Sequence, residues 1–244
     1  MPDDFAADVV RVAALSEPVR RRLYRYVVAQ AWPVSRENAA ANVGVAPHVA
    51  KFHLDRLAAD GLLDVEYRRP PGRSGPGAGR PTKLYRRADR DITVSLPERR
   101  YDLAGQVMAE ALTIAARETR PVQDTIRVAA RSAGQHLADN AEPDPADSPQ
   151  QMVGDLLARY GYEPRATDDG VVLANCPFHH LARKYTELIC GMNLDLIDGV
   201  LDRLCPGRLQ ARLDPGPNHC CVAISTLPLP GARPEATAAD SHPD

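Results

Sequence analysis

The stretch Arg68-Arg69-Pro70-Pro71-Gly72-Arg73-Ser74-Gly75-Pro76-Gly77-Ala78-Gly79-Arg80-Pro81 carries Pro or Gly at eight of its fourteen positions. Proline removes the backbone donor that helix interiors and central strands require, and glycine loses the most backbone freedom on ordering, so this stretch is a loop. It therefore fixes the reading of its neighbours. Leu62 to Tyr67 partly alternate apolar and polar residues, as in a strand, and Leu84-Tyr85 sits in a second short strand on the far side. The expected unit is a pair of short strands joined by a long basic loop.

Upstream, residues 6–30 read as two helices parted near Ser16-Glu17-Pro18, with Ser16 as the expected N-cap and Pro18 in the first turn. Val19, Leu23, Tyr26 and Val27 form the apolar stripe of the second. Ser35 is placed to cap a short helix ending near Val43, with Gly44 as its left-handed stop. A further helix runs from Ala46-Pro47 to Asp60-Gly61, and its apolar face is Ala50, Leu54 and Leu57.

Helix, short helix, tight turn, helix, strand, basic loop, strand is the order of a winged helix-turn-helix, whose third helix enters the DNA major groove. The run Val45-Ala46-Pro47-His48-Val49-Ala50-Lys51-Phe52-His53-Leu54-Asp55-Arg56-Leu57, followed by Asp60-Gly61-Leu62-Leu63, resembles the recognition helix of ArsR-type regulators. Gly79-Arg80-Pro81-Thr82-Lys83-Leu84-Tyr85 is similar to a wing motif of the same group. With Ala50, Leu54 and Leu57 turned to the core, the opposite face presents Pro47, His48, Lys51 and Phe52 to base edges, Lys51 and His48 first, and Arg56 joins the DNA-binding set. Arg73 and Arg80 suit a narrow minor groove, where the potential is most negative. Arg68, Arg69, Lys83, Arg86 and Arg87 are expected at phosphates, which supply affinity without sequence information. His53 falls beside the core face and is expected to be packed and hydrogen-bonded. A flexible linker whose arginines only keep it soluble is the alternative for the loop. Ala46-Pro47-His48 stands where the group commonly has Ser, Thr or Gln, so the operator sequence does not follow from the resemblance.

Charge follows the same division. Residues 1–90 hold 16 Lys and Arg against 10 Asp and Glu, a net +6, whereas the remainder holds 14 against 22, a net −8. A basic head on an acidic body suits a polyanion partner, here double-stranded DNA. No apolar run approaches the roughly 20 residues that span a bilayer, and the acidic start Met1-Pro2-Asp3-Asp4 lacks the basic flank of a signal peptide, so no membrane partner and a cytoplasmic location are expected.

Beyond the wing, helical spacing returns at about residues 97–116 and 121–138, expected as connector or dimerisation helices of a homodimer within a region 91–149 that ends in an acidic, Pro-rich linker. A third region, 150–227, reads as helix, hairpin, two helices and two strands, and 228–244 as a disordered tail. The fold class is α+β.

All five cysteines lie in that third region: Cys176, Cys190, Cys205, Cys220 and Cys221. Thirteen, fourteen and fourteen residues separate the first four, unlike the close pairs of zinc ribbons or fingers. Together with the helix-turn-helix, the arrangement resembles the SufR-like branch of ArsR-type regulators, in which spaced cysteines of a C-terminal domain bind an iron-sulfur cluster. The resemblance implies Cys176, Cys190 and Cys220 as ligands, with His179 and Cys205 as further candidates, and zinc or another thiophilic metal as the alternative cofactor. Alternation along the last strand is expected to turn Cys220 inward and Cys221 away.

The resulting reading is a DNA-binding repressor that senses a cluster or metal. A winged-helix regulator with a small organic effector and purely structural cysteines is the second reading. An enzyme with Cys176 beside His179, or Cys220 beside His219, as a nucleophile pair lacks an orienting third group and a phosphate loop.

Overall fold

Proline and glycine set the helix boundaries of the first ninety or so residues. The computed structural model describes residues 4–69, 81–144, 146–216 and 219–227. It divides into two units, residues 1–94 and 95–244.

The first unit opens with α1 (Asp4–Ala14) and α2 (Pro18–Val28). The N-cap of α2 is Glu17 rather than Ser16: its carboxylate accepts from the backbone N–H of Val19 at 3.0 Å and of Arg20 at 2.5 Å. Pro18 has to be the first helical residue, because its φ is preset and it has no N–H to lose, so the residue immediately before it becomes the cap. After β1 (Val34–Ser35), Ser35 caps α3 (Arg36–Val43) by accepting from Asn38 N–H at 3.2 Å, and Gly44, at φ 70°, ends it. The left-handed conformation of Gly44 turns the chain into α4 (Pro47–Ala59). β2 (Leu63–Arg68) and β3 (Thr82–Arg87) form the hairpin, in a three-stranded antiparallel sheet ordered β1-β3-β2 with Val65 opposite Tyr85. Leu23, Val27, Ala50, Leu54, Leu57, Leu63 and Tyr85 form its buried core.

The second unit contains α5 (Tyr101–Glu118), α6 (Val122–Asp139), α7 (Pro149–Ala158), the hairpin β4 (Pro164–Thr167) and β5 (Gly170–Leu173), α8 (His179–Lys184), α9 (Thr186–Leu204), β6 (Leu209–Leu213) and β7 (Val222–Thr226). Its antiparallel sheet is ordered β4-β5-β7-β6. The helices expected to be connectors are part of this unit's core: Leu103, Val107 and Ala111 of α5 and Ile126, Ala129 and Ala130 of α6 are buried with Met192, Leu196 and Ile197 of α9. Small residues explain it. A Cβ on Gly134 would fall on the carbonyl of Leu196, and one on Gly199 on the carbonyl of Arg131, so α6 and α9 cross with their backbones in contact. The tail beyond residue 227 and the loop holding Arg73 and Arg80 lie outside the described residues.

Candidate nucleic-acid interface and cysteine site

The recognition helix α4 buries Ala50, Leu54 and Leu57 and leaves Pro47, His48, Lys51, Phe52 and Arg56 exposed. Phe52 is 65% exposed, an uncommon position for a large aromatic on a helix that already has a buried face. Much of the charge around it is engaged within the unit. Lys51 lies 3.2 Å from Asp55, Arg56 3.0 Å from Asp60, and Arg68 2.5 Å from Glu66. Arg86 pairs with Asp64 at 3.3 Å, and Arg69 and Arg87 are exposed. Arg20, Arg21 and Arg22 of α2 spend donors on the carbonyls of Ala14, Leu15 and Val43, so part of the basic excess closes helix ends. His53 is half-buried, as its position predicts, but its Nδ1 faces the Glu17 carboxylate at 3.6 Å and has no hydrogen-bond partner among the described residues.

Asp55 is the residue that sequence reasoning passed over. Its carboxylate accepts from Lys83 Nζ at 2.5 Å and from the Tyr85 hydroxyl at 2.7 Å, joining the recognition helix to the strand that carries the wing. Lys83, expected at a phosphate, is therefore committed to Asp55. The signal was available in part: Lys83 and Tyr85 are two residues apart and share one face of β3. Burial alone would raise the Asp55 carboxyl, but the hydrogen bonds from Lys83, Tyr85 and Lys51 outweigh it and hold it at about 2. Because the folded value lies below the ordinary one, the contribution of this group to stability is complete above about pH 4 and is lost as pH falls through about 2. Asp55→Asn is expected to narrow that dependence: the melting-temperature gap between wild type and variant should be widest near pH 6 and close towards pH 2, and a constant gap would count against the assignment.

In the second unit, Cys176 in the turn before α8 and Cys220 at the entry to β7 are buried in one core, and each thiol shifts the other's titration. Asn193 Nδ2 donates to Cys220 Sγ at 3.2 Å, and the Tyr162 hydroxyl donates to Asn193 Oδ1 at 2.6 Å, with Tyr162 and Asn193 both fully buried. Arg99 Nη1 donates to the Cys176 carbonyl at 2.9 Å and to Asn175 Oδ1 at 2.5 Å. The hydrogen bond from Cys220, the Phe178 N–H and the Arg99 charge together hold the Cys176 thiol below its usual range against burial. The neighbouring Cys176, with burial, pushes the Cys220 thiol up.

Cys190 does not join that pair as a free thiol. It forms a disulfide with Cys221, with their Cα atoms 6.4 Å apart. The expectation that Cys221 turns away is corrected because β7 begins only at Val222, so strand alternation does not extend back through both cysteines. Cys205 caps the other end of α9, fifteen residues from Cys190 and thus about 22 Å along the helix axis. Buried there, its thiol is pushed up to about 11. His179 is exposed and stacks edge-on against His180. Neither is drawn to the Cys176–Cys220 pair. Among the described residues no three or more His, Cys, Asp or Glu side chains stand in a metal-holding arrangement.

Residues 15–66 match the family described as a helix-turn-helix domain. The antiparallel pair of strands β2 and β3 follows it, so the first unit is a helix-turn-helix with a winged arrangement. A helix-turn-helix domain supports a DNA-binding transcriptional regulator. No curated protein and no solved structure matches it. No helix among the described residues is long and apolar enough to cross a membrane.

Proposed function

We propose that this regulator is a repressor that binds DNA as a homodimer, with His48, Lys51 and Phe52 of α4 toward the bases, and that its second unit senses through cysteines. The observation that carries the sensing is the buried Cys220 sulfur held by the Asn193–Tyr162 chain, with Cys176 buried in the same core and Cys190 one helical turn from Asn193 on the same face of α9. Sulfur donors suit an iron-sulfur cluster, or zinc, which would be held by Cys176, Cys190 and Cys220 once the disulfide is reduced. When bound, a cluster supplies a redox- and oxygen-sensitive state. Asn193 and Arg99 then orient the sulfurs and balance their charge, as outer partners of metal ligands do.

The homodimer reading rests on α1. Phe5, Val9 and Val12 repeat at spacings of four and three, and all are exposed, as is Val10, so one copy alone leaves an apolar stripe in water. Two linked recognition helices also raise affinity and specificity over one.

The test is to purify the full chain without oxygen and measure iron, sulfide and zinc. Loaded and metal-free protein are then compared on one duplex from the chain's own upstream region. The expected result is bound metal, a sedimenting dimer and at least a five-fold difference in affinity between the two forms, the lower end of typical coupling between sites. A monomer with and without DNA overturns the dimer, and equal affinities overturn the sensing.

A second reading, an organic effector, is favoured by a cavity of about 480 Å³ lined by Ile126, Arg127, Tyr185, Leu188, Met192 and Asp195. Its size and mixed lining are those of a small-molecule pocket. Under that reading the cysteine variants keep their response to effector.

A further inference from the structure

We propose that Asp55 sets the DNA specificity of the first unit: its carboxylate withholds the Lys83 ammonium from phosphates and ties the β2–β3 hairpin to α4, so that both elements must fit one groove together. This rests on the DNA-binding reading above. It goes beyond that reading by assigning discrimination between operator and unrelated DNA to an acidic positioning residue, which acts through Lys83 and the hairpin rather than by touching a base.

Asp55 lies four residues after Lys51 on α4, and its Oδ2 is 3.2 Å from the Lys51 ammonium. Its Oδ1 accepts from Lys83 Nζ at 2.5 Å and from the Tyr85 hydroxyl at 2.7 Å, so each oxygen already has a partner within the protein. Antiparallel pairing sets Tyr85 opposite Val65 and Lys83 opposite Tyr67, and the two-residue period keeps Lys83 and Tyr85 on one face of β3. The Lys83 ammonium also stands 5.2 Å from the centre of the Tyr85 ring, whose face attracts a cation. Tyr85 is buried in one core with Leu54 and Leu57 of α4, so its hydroxyl is a fixed point against which Asp55 is held. The two lysines differ in how firmly they are engaged. Lys83 has the shorter contact and a side chain 35% exposed, whereas Lys51 has the longer contact and is 56% exposed. DNA can therefore draw Lys51 from Asp55, and the whole carboxylate charge then falls to Lys83.

Charge and rigidity together turn this arrangement into discrimination. A cleft of about 550 Å³ beside α4 and the hairpin has Arg36, Lys51, Tyr67 and Lys83 as donors in its lining, with Asp55 and Glu37 as the carboxylates. Affinity for unrelated DNA follows the number of phosphates that the protein neutralises. With Asp55 in place, Lys83 is neutralised by the protein itself, and a phosphate entering the cleft meets a negative charge. A freed Lys83 adds a phosphate contact to any complex. On an operator, base contacts from α4 fix the register, and loosening the hairpin from the helix offsets that added contact. On unrelated DNA there is no register to lose, and two elements that move independently adjust to more groove shapes than one rigid pair. Asp55 therefore disfavours the unrelated complex more than the specific one, which is what discrimination requires.

The experiment uses the full chain and two duplexes of equal length, one selected by the wild type from a random-sequence pool and one with that sequence scrambled. Affinities are measured by fluorescence anisotropy at several salt concentrations. Asp55→Asn keeps the size of the side chain and removes its charge. It should bind the scrambled duplex about three-fold or more tighter, with a slope of log affinity against log salt steeper by about 0.9, the release expected from one further phosphate contact. Affinity for the selected duplex should not rise, so the ratio of the two falls by the same factor. Loss of stability alone would not steepen a salt slope. Adding Lys83→Ala to Asp55→Asn should abolish both the gain and the extra slope, because Lys83 supplies the contact. Asp89→Asn makes the same charge change at an exposed residue of the same unit and should leave the ratio unchanged. Circular dichroism checks that each variant folds. One arm needs no variant: Lys51, Lys83 and Lys184 are the three lysines of the chain, and brief acetylation of the free protein, read by mass spectrometry, should modify Lys83 more slowly than the other two. Equal rates overturn the hold on Lys83. An unchanged ratio and slope in folded Asp55→Asn, or a gain that survives Lys83→Ala, overturns the role of Asp55 and leaves the DNA-binding reading standing. Failure of the wild type to select or bind any duplex overturns both.

Discussion

Replacing His48 and Lys51 together with Ala should lower affinity for an operator duplex by about 30-fold or more, since each base-directed contact is worth about 1–3 kcal/mol. The counter-argument is that Lys51 is already engaged by Asp55 at 3.2 Å. Magnitude decides: an exposed pair four residues apart on a helix contributes only about 0.3–0.5 kcal/mol, which a groove or phosphate contact exceeds, and the Lys51 side chain remains 56% exposed. Loss of Lys51 should also make the slope of log affinity against log salt shallower by about one. Fluorescence anisotropy at several salt concentrations measures both quantities. Arg165→Ala, which removes an exposed arginine from β4 of the other unit, is the control and should change neither. Unchanged affinity and slope in the double variant would remove α4 from the interface.

The second large effect is on stability. Gly134→Ala and Gly199→Ala should each destabilise the second unit by about 1–3 kcal/mol, because the added methyl would meet a backbone carbonyl, which cannot swing aside as a side-chain tip does. The clash outweighs the about 0.5–1 kcal/mol that Gly-to-Ala normally returns in a helix. Gly191 in the same α9 has open space around its Cα, so Gly191→Ala should return that gain and raise the melting temperature. The double variant at Gly134 and Gly199 should cost less than the sum, since both lie at one crossing and the first methyl already forces the helices apart. At about 2–4 °C per kcal/mol, thermal unfolding resolves all three outcomes.

The first unit was legible to the extent that its signals were local. Gly44 at φ 70°, Ser35 as a cap, Pro47 at the start of α4 and the apolar spacing Ala50, Leu54, Leu57 each act within a turn or two of chain, and the sequence shows them directly. The α+β class follows from the same local patterns, and so does the order helix, hairpin, two helices, two strands in the second unit. Glu17 was missed as a cap because a long carboxylate is a less common choice than the neighbouring serine, and the position of Pro18 outweighed it.

What stayed hidden depends on partners far away in sequence. Helical spacing identifies α6 as an amphipathic helix but cannot say that Gly134 meets Leu196, sixty-two residues on, and so α5 and α6 read as connectors when they are core. Lys83 looked free because its partner Asp55 lies twenty-eight residues earlier on another element. The cysteine spacing separates candidates from bystanders only once α9 is in place: a straight helix puts Cys190 and Cys205 at opposite ends, and the late start of β7 lets Cys221 reach Cys190. Periodicity, caps and breakers are properties of neighbouring residues and can be read along the chain. Which face meets which, and which thiol meets which, follows from packing between segments, where one close backbone contact excludes all the alternatives that the chain alone leaves open.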